Sequence, residues 1–246
     1  MERTNRAGQE SIEFWERIAQ EDPYTYILTS VKGSDPQEFW QSGEHTVLQE
    51  LLPLIRESRI RTRVGLELGC GVGRLVVPLS SYFREMVAVD IAESMVNRAL
   101  ACAHGKGIQN VEFAAVSGPE EMLHKAGIYI SKVDFLYSLL VFQHISDFSA
   151  IEGYLRIIRR LLAEDGIAYL QFDTREKGFS YRLKTSLPDF LLPRFWRRGI
   201  RRIRRTAEEI EMSFAKVGLE VVRELSPHTA YHRYVLRKKR SFAATK

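Results

Sequence analysis

Leu66-Glu67-Leu68-Gly69-Cys70-Gly71-Val72-Gly73-Arg74-Leu75 decides how the rest of this chain is read. An apolar run reaches a cluster of glycines and continues into a second apolar run, Leu75-Val76-Val77. Glycine permits a tight turn and lets a ligand lie against bare backbone. Amides exposed at the start of a following helix favour a carboxylate or phosphate. About twenty residues on, Val87-Ala88-Val89-Asp90 ends a second apolar run on an acid, placed as in folds where that carboxylate accepts from ribose hydroxyls. The pair predicts a nucleoside-containing ligand at the carboxyl ends of parallel strands. A dinucleotide fingerprint would carry a third glycine where Arg74 stands, for close helix–strand packing around a pyrophosphate. Arg74 therefore argues against a nicotinamide or flavin dinucleotide, and against a nicotinamide oxidoreductase.

Working outward, short apolar runs alternate with helical patterns. Strands are expected at 64–68, 86–89, 111–115, 133–137 and 167–172, with helices near 73–82, 94–103 and 150–163. Ser149-x-x-Glu152 and Thr206-x-x-Glu209 read as capping boxes, and Gly166 and Gly218 as C-terminal caps. Pro78 should kink or crowd the first helix after the glycine turn. Such alternation predicts a mostly parallel sheet with helices on both faces. After a helix at 206–217, strands at 219–224 and 231–237 are joined by too few residues for a crossover helix, so they should pair antiparallel. Upstream, Ile12, Trp15, Ile18 and Ala19 fall at helical spacing, Pro23 breaks that helix, and Asp35-Pro36 with Glu38 starts another.

The chain has 246 residues, 45% hydrophobic and 27% charged, enough for a sizeable core and too apolar for wholesale disorder. No apolar run approaches the roughly 20 residues that span a bilayer, and the start lacks a secretory signal. Two cysteines cannot make a disulfide framework or a four-ligand zinc site. A soluble, cytoplasmic protein is expected. The net charge of +5 is local: residues 1–60 carry six Lys/Arg against eleven Asp/Glu, whereas 191–205 carry seven arginines and no acid. Basicity of this kind does not make the whole chain a nucleic-acid binder.

Three motifs now converge: Glu67-Leu-Gly-Cys-Gly-Val-Gly-Arg-Leu75, Val87-Ala-Val-Asp-Ile-Ala-Glu-Ser-Met95 and Asp134-Phe-Leu-Tyr-Ser-Leu-Leu-Val-Phe-Gln-His-Ile145. Over residues 60–237 the chain resembles the class I S-adenosylmethionine-dependent methyltransferases, in particular bacterial small-molecule methyltransferases. The resemblance implies a Rossmann-like three-layer α/β/α sandwich, its seven-stranded, mostly parallel sheet ending in an antiparallel strand. N-terminal helices are added to it. The resemblance implies a lid or cap over residues 1–60 and a cofactor-binding core over 61–246, with an acceptor-side insertion at about 175–205. It implies that Glu67, Gly69, Gly71 and Gly73 surround the methionine part of the cofactor, with Cys70 and Arg74 of the same turn among the binding residues. Asp90 would hold the ribose hydroxyls, and Ile91 and Met95 would line the adenine. Ser138 and Leu139 would lie near the sulfonium. Ser117 stands where many relatives place an Asp for the adenine amino group, and a hydroxyl accepts only weakly there.

The expected activity is methyl transfer to oxygen or nitrogen of a small or medium-sized acceptor. An RNA methyltransferase using the arginines, or a non-catalytic cofactor-binding member, are the alternatives. His144 is a candidate general base, or a residue that hydrogen-bonds a loop and shapes the site. His228 and His232, four apart in a strand-like tail, would not share a helical face, and no metal is assigned. Phe14, Trp15, Tyr24, Tyr26, Phe39 and Trp40 read either as a lid over the site or as plain packing of amphipathic helices. On a helical reading, Leu192, Trp196, Ile200 and Ile203 form one face of the insertion and Arg194, Arg198, Arg201 and Arg205 another. That pattern fits a solvated lid helix, an anionic acceptor, an anionic lipid surface or, least well, nucleic acid.

Overall fold

The computed structural model describes residues 2–27, 36–188, 191–192 and 202–240. Seven strands form one sheet: β1 (Val64–Leu68), β2 (Glu85–Asp90), β3 (Val111–Ala115), β4 (Val133–Ser138), β5 (Leu162–Phe172), β6 (Leu219–Leu225) and β7 (His232–Lys238). Their order is β3-β2-β1-β4-β5-β7-β6, and β7 alone runs opposite to the other six. The expected antiparallel tail is present, with β7 inserted between β5 and β6.

Alternation along the strands feeds two cores. Leu66, Val87, Val89, Leu136 and Leu170 face one side, where α7 (Pro119–Ala126), α8 (Phe148–Leu161) and α10 (Ala207–Val217) supply Met122, Leu155, Ile158 and Phe214. Met86, Ala88, Phe135, Tyr137 and Tyr169 face the other, against α4 (Leu52–Glu57), α5 (Val76–Leu79) and α6 (Glu93–Gly105). A third, smaller cluster joins α1 (Glu2–Glu21) and α3 (Pro36–Thr46) to Val72 and Ala92 of the strand-end loops and to Met95 in the first turn of α6. Between α3 and α4 the helix widens into a π turn at Val47–Leu51. Pro53, two residues into α4, has no N–H for the carbonyl of Gln49 and its ring crowds that oxygen, which accounts for the widened turn.

Several local expectations are corrected. The helix expected at 73–82 reduces to four residues, 76–79, followed by a 3-10 turn at Ser80–Tyr82. Pro78 cannot donate to Arg74, and the glycine segment stays a turn up to Leu75. Asp147 rather than Ser149 caps α8, its side chain accepting from Ser149 N at 2.9 Å. Gly166 is no cap: it lies inside β5, where a Cβ would come 2.5 Å from Val133 O. α7 had no counterpart in the sequence pattern. Thr206 and Glu209 do form the capping box of α10, and Gly218 closes it in the left-handed region. The proposed cap at Asp35 lies outside the described residues, as does most of the arginine segment, including Arg194, Trp196, Arg198, Ile200 and Arg201. Ile203–Arg205 are not helical; Arg204 instead bridges to Asp173 in strand fashion. Among the described residues no helix is long and apolar enough to cross a membrane.

Candidate functional site

A hollow of about 470 Å³ opens at the carboxyl ends of β1, β2 and β4. That volume suits a small organic ligand. Glu67, Gly69, Cys70, Gly71, Arg74, Asp90, Ile91, Met95, Ser117, Leu139 and His144 all line it. Two of the expected residues do not. Gly73 packs away from it, where a Cβ would lie 3.1 Å from Val77 and 3.3 Å from Ala99, so its bare backbone serves the contact between turn and α6. Ser138 is completely buried, its hydroxyl donating to Leu68 O at 2.8 Å and so tying β4 to β1.

The turn itself is shaped by positive φ. Gly69 sits at 81° and Gly71 at 52°, a region that L side chains rarely enter. A Cβ on Gly69 would meet Val141 Cγ2 at 2.2 Å, and one on Gly71 would meet Ile27 Cδ1 at 2.9 Å. Bare main chain thus forms part of the wall. Asp90 locks the turn from the next strand: Oδ2 accepts from Gly71 N at 2.8 Å and Oδ1 from Ala92 N at 3.0 Å. Burial pushes the Asp90 carboxyl up, while these amides pull it back toward the charged form. A carboxylate offers about four acceptor positions, so two remain for a ligand's hydroxyls.

Glu67 is 3% exposed and accepts from Tyr137 Oη at 3.0 Å. Burial pushes it up to about 8, with the Tyr137 bond and the Arg74 charge opposing. Arg74 is itself 7% exposed, and its Nη1 reaches Ser42 and Thr46 hydroxyls at 3.4 and 3.5 Å. Ser117 is not a lone weak acceptor: its hydroxyl donates to Glu121 at 2.6 Å, which leaves its lone pairs turned to other donors. Glu121 was invisible in the sequence because its role is to orient a neighbour from the first turn of α7.

The N-terminal helices roof the hollow with Ile12, Phe14, Trp15, Tyr26 and Ile27. Trp15 meets the His144 ring edge-on at 5.5 Å, and His144 Nε2 lies 3.2 Å from Gln143 Nε2. Glu16 anchors the roof, accepting from Ser94 N in the first turn of α6 at 3.2 Å. That helix has no side-chain cap of its own, so α1 supplies the missing acceptor from a distance in sequence that local patterns cannot show.

Three described arginines at the end of the insertion make contacts within the chain, Arg205 buried and Arg202 and Arg204 partly exposed. Arg205 Nη2 donates to Ile145 O at 2.6 Å, Arg204 stacks on Tyr181 at 4.6 Å, and Arg202 stacks on Tyr231 at 4.9 Å.

Comparison with known proteins agrees with this geometry. Residues 66–168 match the family described as "Methyltransferase domain". Over 48 residues the chain is 46% identical to the 23S rRNA (uracil(1939)-C(5))-methyltransferase RlmD of Pseudomonas entomophila, covering 20% of this chain and 11% of that protein. It is 31% identical over 110 residues to the uncharacterized methyltransferase YcgJ of Bacillus subtilis, covering 45% of this chain and 40% of that one. The chain therefore spans well under two thirds of the length of these relatives. The structure of magnesium protoporphyrin IX methyltransferase from Synechocystis, which holds S-adenosylhomocysteine, superposes with a TM-score of 0.64 at 18% identity, over 94% of this chain and 97% of that one. The glycine turn, the acid that locks it and the single reversed strand thus belong to a fold shared with S-adenosylmethionine-dependent methyltransferases, and residues 66–168 match the methyltransferase-domain family.

Proposed function

We propose that this protein binds S-adenosylmethionine in the hollow over Gly69 and Gly71 and transfers its methyl group to oxygen or nitrogen of a small or medium-sized acceptor. The observation that carries this is Asp90: a carboxylate fixed by two backbone amides, with acceptor positions left over, beside glycine backbone that a Cβ would obstruct. The residues present fit the cofactor. Asp90 would take the ribose hydroxyls, Ile91 and Met95 the adenine face, and the backbone at Gly69 and Gly71 the aminoacyl end. When bound, the cofactor supplies an electrophilic methyl on a sulfonium.

What the chain adds is mainly placement. Leu139 and Leu140, just past β4, narrow the path by which an acceptor approaches. The roof of α1, held by Glu16, acts as a lid that excludes water and holds the reacting atoms in line. His144 stands at the acceptor side, wedged between Trp15 and Gln143, a packed setting that favours shaping the site over moving a proton. The structural work of Arg204 and Arg205 weighs against a phosphate-backbone tract and for a small acceptor over RNA.

Titration calorimetry with S-adenosylhomocysteine tests the cofactor assignment. Asp90→Ala removes one or two charge-assisted bonds of about 1.5–3 kcal/mol each, so affinity should fall at least about tenfold. Unchanged affinity in a folded Asp90→Ala protein, or no binding by the wild type, would sink the proposal.

A further inference from the structure

Beside the first hollow lies a second, of about 460 Å³, and the two share Arg74, Leu139 and Leu140 as a partition. Its floor is the sheet itself. Gln171, one residue from the end of β5, stands directly opposite Arg233 of β7, so both side chains leave the same face of the sheet. Gln171 is 2% exposed and lines this hollow, yet its Nε2 has no hydrogen-bond partner among the described residues. Buried amide donors are almost always satisfied, so an unpaired one in a side chain that lines a hollow calls for an acceptor from outside the chain, reached by a small turn of the amide.

Arg233 is the second half of the argument. Its Nε lies 3.0 Å from Glu50 Oε1, an ion pair not aligned as a hydrogen bond. The rest of its fork makes no hydrogen bond among the described residues. Glu50 is shared, because Tyr169 Oη also donates to it at 2.7 Å. Arg74, across the hollow, has no carboxylate within ion-pair distance among the described residues; it donates to two hydroxyls and feels Glu67 and Glu50 only at longer range. Glu38 is the one acid among the lining residues, and it is exposed to water. The interior of the hollow is therefore rich in donors and poor in acceptors, and its two best-placed donors are both planar.

We propose that the second hollow receives a carboxylate carried by the methyl acceptor, held by Gln171 Nε2 and the Arg233 guanidinium while the reacting end passes Leu139 and Leu140 into the first hollow. A planar amide and a planar guanidinium side by side match the two coplanar oxygens of a carboxylate better than a tetrahedral group or a neutral hydroxyl. The inference rests on the first hollow being the cofactor site, since that is what makes the second one the acceptor side.

The test is a nuclear magnetic resonance titration of 15N-labelled full-length protein, with and without S-adenosylhomocysteine. Hexanoate serves as probe, with hexanol and hexyl phosphate as comparators. The Gln171 side-chain amide pair is assigned by its loss in Gln171→Met. Hexanoate should shift that pair saturably and hexanol should not. Gln171→Met and Arg233→Met should each weaken hexanoate binding about tenfold or more, read from backbone amides of β5 and β7, with the rest of the spectrum unchanged. No saturable shift, an equal response to hexanol, a stronger response to hexyl phosphate, or hexanoate binding that survives both substitutions overturns the proposal. If S-adenosylhomocysteine fails to bind, the cofactor reading falls, and the titration of the protein alone still decides whether this hollow takes a carboxylate.

Discussion

Gly43→Ala probes how the N-terminal helices are coupled to the glycine turn. A Cβ on Gly43 would lie 2.2 Å from Arg74 O and 2.9 Å from Arg74 Cγ. The obstructing oxygen is backbone and cannot rotate away. It is also held in place, since the flanking carbonyls of Gly73 and Leu75 accept from Val77 and Leu79 at 3.1 Å while Pro78 offers Arg74 nothing. The side-chain contact can adjust; the carbonyl contact forces α3 to retreat by about 1 Å. Overpacking of this kind costs about 1–3 kcal/mol, and a rigid backbone neighbour puts it near the top. Alanine returns about 1 kcal/mol of helix propensity, so the net loss is about 2 kcal/mol. For a chain of this size that lowers Tm by roughly 4–8 °C in scanning calorimetry. Gly105→Ala, where a Cβ meets nothing within 4 Å, is the control and should melt at or slightly above the wild type. If Gly43→Ala melts no lower than that control, α3 does not press on the turn and the coupling argued here is wrong.

Other outcomes follow from single contacts. Glu67, protonated in the fold up to about 8 but ionised near 4.5 when unfolded, makes the native state the better proton binder between those values, so its contribution to stability falls as pH rises through that window. Glu67→Gln removes that fall; urea unfolding of the cofactor-free protein at about pH 5 and about pH 8 should show the variant gaining on the wild type at the higher pH. Arg205→Met loses the bonds to Ile145 O and Ser146 O, but it also removes an Nη1 buried without a partner, so the loss should sit near about 1.5 kcal/mol rather than 3 in denaturant melts. Asp147→Ala uncaps α8 and should cost about 0.5–2 kcal/mol, whereas Ser149→Ala, which leaves the cap in place, should cost less by the same measurement.

What could be read along the chain was whatever depends on near neighbours. The glycines at 69 and 71 and the acid at 90 belong to one strand–turn–helix–strand unit, and periodicity found the strands that carry them. The reversed tail was legible because six residues between two strands leave room for a turn and nothing more. Contacts made across the sheet were not legible. Gln171 and Arg233 are 62 positions apart and meet only because β7 slides in next to β5. Glu16 finds the open end of α6 from 78 positions away. Asp147 and Ser149 both suit a cap, and two residues of offset cannot be resolved from sequence pattern; Gly166 looks like a cap only until β5 is seen to begin four residues before it. Ser138 was misplaced by one residue of alternation, since the strand turns it inward to Leu68 and leaves Leu139 at the opening.

β7 is synthesised after every other strand and yet occupies an interior place in the sheet. While a ribosome is still making residues 232–238, the long edge of β5 stays unpaired and β6, already made, has no strand to join it to the sheet. Premature termination just short of His232 would strip two strands and Arg233, though only one strand is missing from the message. Quality control by a protease that recognises open sheet edges would therefore see such a product as grossly incomplete, because the sheet closes only once its last-made strand arrives.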